Sequence, residues 1–164
     1  MEHASPANRL FWKGLGIRCL FVIAVLFSHE LTAQEVTPLH RAVVANDLAA
    51  VKQLIDQGAQ IEARDQIGTT PLMIAAQLSS TPEIVQLLLD NKAQIEARNK
   101  DGLTPLMFAA SNSSTPEIVQ LLIDKGANAL AKCKTGKKAI DYAKENEKLV
   151  GTQAYWNLHN KSFE

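Results

Sequence analysis

The fold is decided by two consecutive stretches of equal length, AQIEARDQIGTTPLMIAAQLSSTPEIVQLLLDNK at residues 59–92 and AQIEARNKDGLTPLMFAASNSSTPEIVQLLIDKG at residues 93–126. The two stretches align from end to end without a gap. Self-similarity at a period of this length is typical of a solenoid, in which each unit packs mainly against its neighbours. The sequence therefore predicts a stack of repeated helical units.

The same pattern extends outward from these two stretches. Upstream, Thr37–His40 matches Thr70–Met73 at a distance one residue shorter than a full period. Downstream, Gly136–Ala143 matches Gly102–Ala109 more weakly, at a distance of one full period. We expect a repeat domain over residues 34–164. Its predicted parts are full units at about residues 35–67, 68–101 and 102–135, followed by a degenerate C-terminal cap at residues 136–160.

Each unit carries start signals for two helices. A threonine before a proline supplies an N-cap oxygen, and proline suits the first helical position because the N–H that it lacks would have no partner there. The predicted first residues of the first helices are Pro38, Pro71 and Pro105. The predicted capping residues of the second helices are Asp47, Thr81 and Thr115.

The predicted ends of the second helices fall at one position of the repeat. Gly58 and Gly126 stand there, and glycine adopts the left-handed conformation that closes many helices. Lys92 occupies the equivalent position between them. A left-handed lysine costs roughly 1 kcal/mol relative to glycine, so we expect the softest junction in the second unit.

Gly-x-Thr-Pro-Leu-x-x-Ala-Ala at Gly68–Ala76 and Gly102–Ala110, followed by an Ile-Val-x-Leu-Leu helix, resembles the ankyrin repeat. The resemblance covers about residues 35–158, and the Pro-Glu start of the second helix is similar to exported bacterial ankyrin-repeat proteins. It implies an all-α repeat solenoid with a β-hairpin tip between units, near residues 64–68 and 98–102. It also implies that His40 has a structural role and ties down loop backbone.

The N-terminus carries the pattern of an export signal. Arg9, Lys13 and Arg18 precede an unbroken apolar run at residues 19–27. A helix of that length rises only about 13 Å, far less than the roughly 30 Å of a bilayer core, which favours a signal peptide over a transmembrane span. We expect cleavage after Ala33, which leaves an exported chain that is periplasmic or secreted in a bacterium. An uncleaved anchor or a buried N-terminal helix is the alternative.

Composition excludes several classes of function. Of 164 residues, 17 are Lys or Arg and 17 are Asp or Glu, so no net field attracts nucleic acid or an anionic membrane. Aromatic residues make up only 5%, which suits closely packed helices. Neither the two cysteines nor the four histidines show the spacing of metal ligands, so we expect no metal and no cofactor.

Cys133 is the one residue with potential for chemistry. It lies among Lys132, Lys134, Lys137 and Lys138, whose positive charge would lower the pKa of the thiol and increase its reactivity. An ordinary loop position in the cap is the alternative. Since neither a catalytic base nor a metal site accompanies the thiol, we expect no enzymatic activity.

The resemblance implies a module that binds another protein on the concave face formed by the hairpin tips and the first helices. Small molecules and nucleic acid are not expected as ligands. The family's variable surface positions correspond here to Gln66, Ile67, Thr69, Gln77, Leu78, Lys100, Asp101, Leu103, Ser111 and Asn112. Three of them are apolar where exposure is expected, namely Ile67, Leu78 and Leu103, and exposed apolar patches mark contact surfaces.

Two other functions remain open at the level of sequence. One is a structural or stabilising accessory of an exported enzyme or envelope assembly. The other is a membrane-anchored repeat protein, which applies if the apolar run at residues 19–27 is not cleaved.

Overall fold

The computed structural model describes residues 36–163, which form eight helices and contain no strand. The helices are α1 (Pro38–Val44), α2 (Leu48–Asp56), α3 (Pro71–Leu78), α4 (Glu83–Asp90), α5 (Pro105–Asn112), α6 (Pro116–Asp124), α7 (Ala139–Ala143) and α8 (Gln153–Lys161). The predicted all-α repeat fold is confirmed. The expected signal segment, residues 1–33, lies outside the described residues.

The helices form two layers. The first helices of the units, α1, α3, α5 and α7, pack on one another in chain order. The second helices form the other layer, in which α2 packs on α4 and α6 packs on α8. Helices α4 and α6 approach each other less closely than α3 and α5 do.

The core is built from residues that recur at one register of the repeat. Leu39, Leu72, Leu106 and Ile140 follow the first position of each first helix and are at most 2% exposed. Alanines about one helical turn later, such as Ala75 and Ala109, let neighbouring helices approach closely and are fully buried. The core is therefore one continuous stack of small and branched side chains.

The first helices begin as the sequence predicts. Thr37, Thr70 and Thr104 have extended backbones, and each side chain accepts a hydrogen bond from the backbone N–H three residues later. A proline occupies the first helical position in all three. The Thr-Pro pair thus determines where the first layer starts.

The capping prediction holds in full for only one second helix. Asp47 accepts a hydrogen bond from the backbone N–H of Ala50, as expected. Thr81 is not the N-cap residue of α4, which is Pro82, whereas Thr115 is the N-cap residue of α6 but makes no side-chain cap bond. The Thr115 hydroxyl instead donates to the carbonyl of Ser80 at 3.2 Å, because the neighbouring unit offers it an acceptor.

Second helices end in a left-handed residue in all three units. The φ angles of Gly58, Lys92 and Gly126 are 82°, 70° and 90°. In each case the next N–H donates to a carbonyl in the last helical turn, as Ala93 does to Leu88 at 3.0 Å. The prediction of a strained lysine at residue 92 is confirmed.

His40 has the structural role that the sequence predicts. Its ring is fully buried, and Nδ1 lies 2.8 Å from the hydroxyl of Thr37 and accepts from the Thr37 N–H at 3.3 Å. Since Nδ1 accepts, Nε2 carries the hydrogen and donates to the carbonyl of Thr69 at 3.2 Å. The imidazole therefore joins the first helix to the loop of the second unit. Met73 and Met107 fill the equivalent space in the next two units.

Candidate functional site

The first helices expose only one narrow face. In α3 the exposed or half-buried residues are Ile74, Gln77 and Leu78, while the other five residues are buried. Their spacing of i, i+3 and i+4 places them on one side of the helix. Helix α5 repeats the arrangement with Phe108, Ser111 and Asn112. We call this strip, together with the adjoining turns, the first-helix surface.

A row of larger side chains lies along this surface. Arg41, Ile74, Phe108 and Tyr142 each stand three residues after the first position of their helix. Arg41 is exposed, and the other three are half-buried. Sequence reasoning did not include these residues in the site. Ile74 and Phe108 could have been identified from their position in the repeat, because they lie one helical turn before Gln77 and Ser111, which were included.

The predicted hairpin tips are tight turns too short to form strands within the described residues. At the junction of the first and second units, the N–H of Asp65 donates to the carbonyl of Thr69 at 3.1 Å, and the N–H of Gly68 donates back to the carbonyl of Asp65 at 2.9 Å. The Asp65 carboxylate also accepts the N–H groups of Ile67 and Thr69 at 2.9 and 2.8 Å. This Asx turn fixes the tip without a β-ladder.

Consecutive tips are bonded to one another. The N–H of Lys100 donates to the carbonyl of Ile67 at 3.0 Å, and the N–H of Lys134 donates to Asp101 at 2.9 Å. Gly68 allows this approach, because a Cβ on it would lie 3.2 Å from the nitrogen of Lys100 and its φ is +80°. The tips therefore form a continuous edge of the first-helix surface.

Charged side chains below the tips also connect neighbouring units. Arg64 donates to the carbonyls of Gly68 and Arg98 at 3.1 and 2.7 Å, and Arg98 repeats both contacts one unit later. Glu62 accepts from the N–H of Gln94 at 2.8 Å. The partners are backbone groups of the next unit, so these bonds fix the register between repeats.

Most of the ten predicted surface residues are accessible. Gln66, Lys100, Asp101 and Asn112 are exposed, and Ile67 and Leu78 are 55% and 52% exposed. Gln77 and Ser111 are half-buried, and the Ser111 hydroxyl donates to the carbonyl of Phe108 at 2.9 Å.

Two of the ten depart from the expected exposure. Thr69 is 4% exposed, because its carbonyl accepts from His40 and its N–H is held by Asp65, so its side chain is turned into the structure. Leu103, the equivalent residue one unit later, is half-buried and packs against the core. Neither side chain is freely presented to a partner.

Cys133 takes the place that Asp65 and Asn99 hold in the preceding tips. The carboxamide oxygen of Asn99 accepts two backbone N–H groups at 2.9 Å each, two and four residues ahead. The sulfur of Cys133 lies 3.0 Å from the hydroxyl of Thr135 and 3.4 Å from that of Tyr142. It is 8% exposed and completes the turn as a sulfur analogue of the Asx oxygen.

This environment changes the pKa of the thiol. Burial raises the pKa, but hydrogen bonds from the Thr135 and Tyr142 hydroxyls and from the backbone N–H groups of Thr135 and Lys137 lower it to about 7. The bond to Cys133 in turn raises the pKa of Tyr142, which therefore stays protonated and donates. The sequence attributed this effect to the surrounding lysines, whereas the causes are hydrogen bonds to the thiolate.

We expect alkylation of Cys133 in the full chain to reach half its maximal rate near pH 7, below the roughly 8.5 of a free thiol. Because the pKa is depressed in the folded state, the thiolate stabilises the fold above pH 8.5, and this contribution disappears as the pH falls through 7. Peptide mapping by mass spectrometry separates Cys133 from Cys19. Tyr142→Phe should shift the midpoint upward, and an unshifted midpoint near 8.5 in the parent chain would contradict the assignment.

Within residues 36–163, no three His, Cys, Asp or Glu side chains are grouped as metal ligands. None of the helices in these residues is long and apolar enough to cross a bilayer. The ammonium of Lys137 lies 5.2 Å from the centre of the Tyr142 ring.

The chain was compared with models of protein families. A family model described as ankyrin repeats (3 copies) matches residues 18–99 and residues 72–151. The two matches overlap at residues 72–99, within the second unit, and together cover most of the chain. The first match begins upstream of the described residues, within the segment expected to be a signal peptide.

Proposed function

Because the chain belongs to the ankyrin-repeat family, whose members are generally protein-interaction modules, we propose that it binds a partner protein on its first-helix surface. The proposed role is non-enzymatic. The partner would contact the tips and the exposed strip of the first helices, mainly in the second and third units.

The single observation that carries this proposal is the apolar character of that surface. Leu78 and Ile67 are more than half exposed, and Ile74 and Phe108 on the first helices of the second and third units are half-buried. When a partner covers the exposed area of aromatic and aliphatic side chains, the burial of that area stabilises the complex. Lys100 and Asp101 at the adjoining tip supply a polar rim.

The rigidity of the surface supports the same function. Tip-to-tip hydrogen bonds and the arginine contacts hold neighbouring units at fixed spacing. A surface ordered before binding loses little conformational entropy when the partner arrives. The module therefore acts as a preformed platform.

Co-purification tests the proposal. The full chain, expressed in its source and crosslinked gently, should bring down one protein in stoichiometric amount. Chains carrying Leu78→Glu and Ile67→Glu should lose it while remaining folded. If no protein is captured in fixed ratio, the chain is instead a structural or stabilising accessory.

We further propose that the mature chain begins near Gln34 and is exported, on the basis of the basic residues and apolar run before it. The family match that begins at residue 18 favours the alternative, a further helix in the array. Intact-mass measurement of the exported protein distinguishes them. A full-length mass would overturn the signal assignment.

A further inference from the structure

The loops that carry the tips become more basic along the array. The loop at residues 59–70 has one basic and two acidic side chains, and the loop at residues 93–104 has two of each. The loop at residues 127–138 has four lysines and no carboxylate. Although the whole chain balances 17 basic against 17 acidic residues, positive charge is concentrated at the last tip.

Two of these four lysines already have partners within the chain. Lys137 forms an ion pair with Glu145 at 3.3 Å, and the ammonium of Lys138 donates to a backbone carbonyl at 2.8 Å. Lys132 and Lys134 are exposed and form no ion pair among the described residues. Their charge is therefore available to a ligand.

Lys100 extends this charge into the preceding tip. It stands at the same repeat position as Lys134, is exposed, and likewise forms no ion pair in the described part of the chain. The two tips are adjacent, because the N–H of Lys134 donates to the carbonyl of Asp101 at 2.9 Å. Gln66 holds the same position in the first tip, so the turn does not require a lysine. We call Lys100, Lys132 and Lys134 the lysine edge.

We propose that the lysine edge binds an acidic segment of the partner protein, and that apolar residues at one end of this segment lie on Ile67 and Leu78. The inference rests on the proposed binding at the first-helix surface and adds the chemistry of the partner. Ile67 belongs to the same edge, since its carbonyl accepts the N–H of Lys100 at 3.0 Å. Apolar area at one end and unpaired ammonium groups at the other select both the composition and the direction of the segment.

The spacing of the units suits an extended segment. Neighbouring helices pack about 8–10 Å apart, so equivalent residues of adjoining units lie at about that separation. Three residues of an extended chain span about 10 Å. Carboxylates at every third residue of the segment would therefore meet Lys100 and Lys134 in turn.

Asp101 distinguishes a peptide from other polyanions. It is the equivalent of Ile67 in the next tip and is exposed beside the lysine edge. A nucleic acid carries a phosphate at every nucleotide and would place negative charge against this carboxylate. A peptide can place a neutral residue there and keep its own carboxylates opposite the lysines.

The test uses two fluorescently labelled peptides of about twelve residues, long enough to cross the tips of three units. Each has two leucines at one end, aspartate at every third position after them, and serine elsewhere. One peptide carries the leucines at its N-terminus and the other at its C-terminus, so both directions along the array are sampled. The control for each has lysine in place of every aspartate.

Binding to the full chain is measured by fluorescence anisotropy at low ionic strength. At least one acidic peptide should bind about tenfold or more tightly than its lysine control, because ammonium groups attract carboxylates and repel lysines. The difference should shrink with added salt, which screens exposed charges.

Variants locate the binding. Lys100→Gln and Lys134→Gln together introduce the residue found in the first tip and should weaken binding of the acidic peptide about tenfold or more. Asp101→Asn should strengthen it a few-fold. Lys52→Gln with Lys148→Gln removes the same charge from two exposed lysines outside the tips and should leave binding unchanged. All five side chains are exposed, so we expect unchanged melting temperatures.

Three results would overturn the proposal. They are equal binding of the acidic and lysine peptides, binding unaffected by Lys100→Gln with Lys134→Gln, and tighter binding of a thymidine oligonucleotide than of either acidic peptide. Self-association of the full chain that the same double variant abolishes would assign the edge to a second copy.

Failure of this inference differs from failure of the proposed function. If a captured partner is lost on Leu78→Glu but retained by the chain with Lys100→Gln and Lys134→Gln, the first-helix surface binds a partner that is not acidic. If no partner is captured while the acidic peptide still binds at the lysine edge, the surface has the inferred selectivity and the stoichiometric partner is absent.

Discussion

A chain that ends at Ala131 is expected to aggregate or to lose its cooperative unfolding transition. The removed part contributes Ile140, Leu149 and Leu158, each at most 2% exposed. Fully burying a side chain of this size is worth roughly 1.5–3 kcal/mol, so the three together contribute roughly 5–9 kcal/mol. That is comparable to the total stability of a domain, about 5–15 kcal/mol.

The loss of the cap also exposes the last full unit. Helix α8 packs on α6, and α7 packs on α5, so Leu122 and Leu106 would face water. The amide of Asn146 donates to the carbonyls of Ala110 and Ser113 at 3.2 and 3.1 Å, and both acceptors would lose that partner. An end unit without a cap cannot keep its apolar face covered.

Urea unfolding followed by circular dichroism, with light scattering in parallel, measures the effect of truncation. The control deletes residues 68–101, one whole internal unit, and joins Ile67 to Gly102 in register. This shorter chain keeps its cap and should unfold cooperatively at a lower midpoint. A soluble fragment ending at Ala131 with one sharp transition would contradict the role given to the cap.

Glutamate at residues 67 and 78 is expected to reduce affinity for the captured partner about 30-fold or more for each substitution. Disrupting an interface residue that matters for binding typically costs about 2 kcal/mol or more. A loss of about 1.4 kcal/mol corresponds to a factor of ten in affinity. Because Ile67 and Leu78 are about half exposed, the same substitutions should change the free energy of unfolding by no more than about 0.5 kcal/mol.

Calorimetric titration and thermal melting of the same samples separate the two effects. Val150→Glu is the matched control, since Val150 is an apolar residue of similar exposure, 48%, in the loop before α8. It should leave affinity unchanged. Undiminished affinity in both Ile67→Glu and Leu78→Glu, at unchanged melting temperature, would place the interface elsewhere. Leu103→Glu is a poorer probe than the sequence suggests, because Leu103 packs against the core.

Local signals in the sequence were sufficient for the helix layout. The period of the repeat indicated the number of units, and the Thr-Pro pairs indicated the first residue of α1, α3 and α5. Gly58 and Gly126 marked the ends of second helices, and the lysine between them was recognised as strained. Each of these features depends on the backbone preference of one or two residues, and that preference follows from the residue type alone.

Contacts between neighbouring units determined side-chain burial and hydrogen-bond partners. Thr69 and Leu103 stand at one repeat position, yet Thr69 is buried and Leu103 is half-buried, and only the carbonyl of Thr69 accepts a hydrogen bond from a histidine, His40. Thr115 stands at the N-cap of α6, but its hydroxyl bonds to the neighbouring unit and not to its own helix.

The sequence by itself determined the repeat, its helices and its family, because these follow from periodicity and local backbone chemistry. Only the tertiary structure decided which side chains are left for a partner. It placed Ile74 and Phe108 in a half-buried row and set Cys133 among hydroxyl and amide donors. Exposure and pKa depend on what a neighbouring unit places against a residue, and equivalent positions of a repeat meet different neighbours.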